Sequence, residues 1–128
     1  MNIPVVVAAC ISTLALVAHI FIGTKETAAI APTDGNKKLE LHWKQSMCAF
    51  QMLSVDLLLV TIVLFVIGLT DLVSIEPELT LLLSLVFLLW GIVWFIQLLW
   101  LKSKPVTYLV LAQWAVWLLC AGLLYWGA

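Results

Sequence analysis

Three observations predict an all-α integral membrane protein, a four-transmembrane-helix up-and-down bundle. The chain of 128 residues is 65% hydrophobic and only 10% charged, with a mean hydropathy of +1.19, far outside the range of soluble domains. Its apolar residues fall into four long runs, at 3–22, 47–72, 79–101 and 106–128, each close to the ~20 residues that cross a bilayer as a helix. Its polar residues collect in the short segments between those runs, which leaves room for a single membrane domain over 1–128.

The first run, 3–22, has no Lys or Arg before it. It therefore lacks the cationic start of a secretory signal peptide and is expected to stay attached. Residues 23–46 form the one substantial polar segment, expected as a loop. Pro32, Asp34 and Gly35 are turn residues in its first half, while Leu39 to Gln45 can open the second helix at the interface, with Trp43 and Lys44 in the headgroup layer. The second run, 47–72, is followed by a short acidic turn over 71–78, with Asp71, Glu76 and Glu78 around Pro77. The third run, 79–101, is joined to the fourth, 106–128, by only 102–105, so the last two helices must be antiparallel neighbours.

The six cationic side chains are all lysines, and all lie in the first and third connections: Lys25, Lys37, Lys38, Lys44, Lys102 and Lys104. By the positive-inside rule that face is cytoplasmic and both termini lie outside the cytoplasm.

Within the apolar runs the acid Asp56 stands out. It lies about nine residues into the second run, ~14 Å deep at ~1.5 Å per residue, where insertion scales charge a carboxylate roughly 2.5 to 3.5 kcal/mol. Such a residue is expected to face helices, water or a ligand. Counting in from the lysine-bearing ends, His19, Gln51, Gln97 and Gln113 fall at comparable depths, one from each run, and together with Asp56 they predict a polar pocket opening toward the cytoplasm. Glutamines also serve simply as hydrogen-bonding links between helices, and Gln51 and Asp56 lie too far apart around their helix to point at one centre. One of the two is therefore free for an oligomer contact. Small residues recur at helical spacing on each run: Ala8, Ser12, Ala15 and His19; Ser54, Thr61 and Gly68; Ser84 and Gly91; Gln113, Cys120 and Gly127. These stripes are the expected close-packed interior.

Of seven tryptophans, Trp43, Trp100 and Trp126 sit at run ends and suit an interfacial belt. Trp90, Trp94, Trp114 and Trp117 lie deeper, and the antiparallel pairing puts Trp94 level with Trp114 and Trp90 level with Trp117. Phe87, Trp90, Trp94 and Gln97 make one aromatic face ending in an amide. It suits either packing between helices or a flat or cationic hydrophobic ligand.

Catalysis has little to draw on. His19 and His42 have no serine or cysteine at a nucleophile spacing, Gly-rich phosphate loops are missing, and the three cysteines lie in separate apolar runs without Cys-x-x-Cys or zinc spacing. No enzyme activity, metal or cofactor is expected, and no basic surface invites nucleic acid.

The segments HIFIGTKETAAI (19–30), CAFQMLSVDLLL (48–59) and LAQWAVWLL (111–119) resemble a group of small bacterial four-helix membrane proteins. His19 and Gly23 fit that group's first element, Phe50-Gln51 replaces its Trp-His pair, and Ala112-Gln113 stands in its last. The resemblance implies a bacterial inner membrane and supplies no activity. The residues point first to a non-enzymatic bundle that binds a hydrophobic small molecule, or docks in a homo-oligomer or larger membrane complex, through a polar and aromatic interior. The alternative is a small proton-coupled transporter, a homodimer using Asp56. It looks like the small multidrug resistance transporters in size and lone membrane acid, but those carry a glutamate in the first helix.

Overall fold

The computed structural model describes residues 1–72 and 76–128, and the described residues fold as helices joined by short turns. Asn2 caps the first helix. Its side chain accepts a hydrogen bond from Val5 N at 3.4 Å, and Pro4 occupies the first turn, where the missing N–H costs nothing. Helix α1 runs Ile3–Ala18, passes through one wider π-helical turn at His19–Gly23, and continues as α2, Thr24–Ala29. The first helix therefore extends seven residues past the expected end at 22.

Much of the expected loop 23–46 is helical. The true connection is Ile30–Asn36, where Gly35 takes φ 74° and the Asn36 side chain caps the next helix by accepting from Lys38 N and Leu39 N at 3.1 and 3.2 Å. Helix α3, Lys37–Leu69, has 33 residues, ~50 Å at 1.5 Å per residue. It starts ten residues before the expected 47, because the polar stretch Leu39–Gln45 is part of the helix. The acidic turn expected over 71–78 lies partly outside the described residues, at 73–75. Helix α4, Glu76–Trp100, begins with Glu76 and Glu78 in its first turn, where acids favour the helix dipole.

The fourth run departs most from expectation. The continuous helix expected over 106–128 is two pieces, α5 at Pro105–Val110 and α6 at Gln113–Gly127. In an unbroken helix the Tyr108 carbonyl would accept from Ala112 N. Here it accepts the Trp114 indole Nε1 at 3.0 Å instead. Three helices, Ile3–Ala29, Lys37–Leu69 and Glu76–Trp100, are long and apolar enough to cross a membrane.

α1 lies at the centre of the molecule. It packs on α3 along one side and on α6 along the other, α6 packs most extensively on α4, and α3 and α4 approach each other only sparsely. The core combines Val5, Ala8 and Ala9 of α1 with Leu57 and Leu64 of α3, Phe87 of α4 and Cys120 and Leu124 of α6. Small and hydroxyl residues fill its close approaches: Ser12, Ser54, Thr61, Thr80 and Ser84 are all buried. The outside is the reverse, with Leu58, Leu59, Ile62, Leu82, Leu85 and Leu89 among many exposed large apolar residues. A surface of that composition belongs in hydrocarbon rather than water.

Candidate functional site

At the lysine-bearing end the π turn and α2 meet the first half of α3. The His19 ring stacks on Phe50 with centroids 3.8 Å apart and planes 14° from parallel, and His19 Nε2 lies 3.0 Å from the Phe50 carbonyl. A carbonyl only accepts, so Nε2 carries the hydrogen. Gly23 leaves room for the tip of the Phe50 ring: a Cβ there would stand 2.7 Å from its Cζ. One residue on, Gln51 Nε2 donates to Thr24 Oγ1 at 3.0 Å, and Ser54 Oγ donates to Gln51 Oε1 at 3.5 Å. Trp43 Nε1 donates to the Thr27 carbonyl at 3.0 Å and anchors the far end of α2. His19, Gly23, Phe50 and Gln51 thus form one polar and aromatic clasp. Its contacts, His19 to the Phe50 carbonyl and Gln51 to Thr24, join the first helix to α3.

The five polar residues expected to share a pocket do not converge. Asp56 is exposed on the surface of α3, and among the described residues it has neither a hydrogen-bond nor an ion-pair partner. Helical phase explains the difference. Ser54, Leu57, Thr61 and Leu64 are the buried face of α3, and Asp56, two residues from Ser54, is turned ~200° from it. Gln97 is likewise exposed, at the end of the aromatic face on α4. Equal depth placed these residues at one level without giving them one direction. A cleft of about 460 Å³, with Asn2, Asp71, Glu76 and Trp126 on its walls, lies instead at the opposite end of the bundle, near both termini.

The deep aromatics are split between two groups. Phe87, Trp90 and Trp117 pack together in the α4/α6 interface, with Trp90 and Trp117 centroids 5.7 Å apart. Trp114 pairs with Phe95 at 5.4 Å rather than with Trp94, although the two tryptophans were expected to share a level. Trp94 Nε1 and Gln113 Oε1 are both buried and have no hydrogen-bond partner among the described residues. Gly91 lets the two helices come together here, since a Cβ on it would stand 3.0 Å from the Trp114 carbonyl.

Sequence reasoning missed Asn2. Its Nδ2 donates to the Gly127 carbonyl at 2.5 Å and its backbone N to the Gly68 carbonyl at 2.8 Å, so one residue ties α1, α3 and α6 together at the end away from the lysines. An asparagine just before a helix signals a cap, but nothing in the spacing signals these longer links. Among the described residues no cluster of His, Cys, Asp and Glu could hold a metal ion. Compared with protein-family models, with curated proteins and with solved structures, the chain matches none.

Proposed function

We propose that this is a non-enzymatic membrane subunit that docks on another membrane protein through the flank of α3 bearing Asp56. One observation carries the reading: a carboxyl group exposed on an apolar helix, far from either end, with no partner among the described residues. Bare in hydrocarbon it costs roughly 2.5 to 3.5 kcal/mol, and the usual remedy is a donor or cation from a facing helix. A second copy of the chain is the poorer match, because Lys44, the nearest lysine in the sequence, stands twelve residues from Asp56 along α3 and the facing side chain would be another carboxyl. α5 and α6 complete a fourth crossing, with the lysine-bearing connections in the cytoplasm of a bacterial cell and both termini outside. Proton-coupled transport draws less support, since Asp56 lines no path within one protomer.

The test is native electrophoresis of membranes solubilised in mild detergent. Wild type is expected in an assembly larger than the monomer, retained by Asp56→Asn, whose amide still bonds, and lost on Asp56→Leu. An Asp56→Leu protein that stays in the assembly would refute the docking role. An assembly composed only of this chain would replace the partner with a homo-oligomer.

A further inference from the structure

Trp94 Nε1 is a hydrogen-bond donor and Gln113 Oε1 an acceptor, both buried and both unmatched among the described residues. Their placement follows from a contact that is seen. Trp90 of α4 meets Trp117 of α6 at 5.7 Å. Trp94 is one turn further along α4 and Gln113 one turn earlier on α6, and because the two helices are antiparallel, the second pair faces across the same interface one turn nearer the lysine-bearing end. They do not bond to each other. A buried amide or indole without a partner is costly in an apolar interior, so the pairing of a lone donor with a lone acceptor across one interface marks a place for something between them.

The geometry points to a bridging site in which one neutral hydroxyl group accepts from Trp94 Nε1–H and donates to Gln113 Oε1. A hydroxyl does both at once. A ketone satisfies only Trp94, and an ammonium only Gln113. Charge is unsuited to the position. α4 and α6 carry no ionisable side chain at this level apart from Cys120 further out, His19 of α1 has its Nε2–H on the Phe50 carbonyl, and Asp56 is directed away. Neither residue of the pair lines the apolar groove of about 210 Å³ that Gly91, Ile92, Phe95, Ile96, Trp114 and Leu118 form on the other flank of the same interface. The hydroxyl belongs to a water molecule or to an alcohol-headed amphiphile, and the site is independent of how α3 docks.

A double-mutant cycle with Trp94→Phe and Gln113→Leu tests the bridge by its sign. With a hydroxyl between them, each single variant lowers Tm in detergent by about 5 °C, and the double variant loses clearly less than the two together. If nothing bridges the pair, each substitution removes an unmatched polar group, so both raise Tm and their effects add, which overturns the proposal. Decanol and decane then separate the two sources. A rise in Tm with decanol, absent with decane and absent in Gln113→Leu, identifies an amphiphile, whereas coupling with no response to decanol identifies water. Should the variants fail to fold, the indole ¹⁵N–H resonance of Trp94 in the wild-type protein decides: slow exchange and a hydrogen-bonded shift are expected, and a free indole N–H refutes the site.

Discussion

At the scale of single residues, hydrogen bonds in this protein matter because hydrocarbon offers no substitute partner. Ser12 and Thr61, hydroxyls on α1 and α3, lie 2.7 Å apart in the buried interior, and Ser84 Oγ donates to the Ala121 carbonyl at 2.8 Å across the α4/α6 interface. Bonds of this kind in membrane proteins are worth ~0.6 kcal/mol on average and up to ~1.7. A cycle of Ser12→Ala and Thr61→Val is expected to show coupling within that range by reversible unfolding, and a coupling near zero would mean the two hydroxyls do not bond. The stripes of small residues were legible in the sequence, and Ser12, Thr61, Gly68, Ser84 and Gly91 are all buried as their spacing implied. Asp56 and Gln97 were legible as polar residues at depth, but not in their direction.

At the scale of elements, close approach between helices rests on glycine at particular points. A Cβ on Gly91 would stand 2.9 Å from Leu118 and 3.0 Å from the Trp114 carbonyl, whereas one on Gly122 would meet nothing within 4 Å. Gly91→Ala must push backbone away from backbone and is expected to cost about 1 to 3 kcal/mol. Gly122→Ala gains helix propensity and is expected to be neutral or stabilising by up to ~1 kcal/mol. Equal effects on Tm would show that α4 and α6 do not pack through Gly91. Local signals marked two turns: Pro32, Asp34 and Gly35 before α3, and Lys102 to Pro105 before α5. They did not mark the π turn at His19–Gly23 or the break between α5 and α6. Both involve contacts made elsewhere, the first with Phe50 on α3 and the second within the folded α5/α6 corner, where the Trp114 indole reaches the Tyr108 carbonyl.

At the scale of the whole molecule, large apolar side chains cover much of the exterior, and three helices have the length and composition of membrane spans. The distribution of lysines sets the expected orientation. In a variant with its native cysteines replaced by Ala, Leu72→Cys is expected to react with a membrane-impermeant maleimide in intact cells, and Thr33→Cys only after the membrane is opened. The opposite pattern would place the lysine-bearing face outside. Helix order in space is the feature the chain order conceals: α1, first in sequence, packs between α3 and α6, while α3 and α4, consecutive in sequence, barely approach.

The amino-acid sequence alone determined that this is a helical chain suited to a membrane, which faces of its helices are small enough to pack, and how much polarity lies at depth. These depend on composition and on the 3.6-residue period, which act locally. Tertiary structure decided where the polarity points. It closed His19 and Gln51 into a clasp, buried Trp94 Nε1 and Gln113 Oε1 without partners among the described residues, and turned Asp56 outward, because the direction of a side chain depends on which neighbour each helix leans against, and that choice is made by packing between segments far apart in the chain.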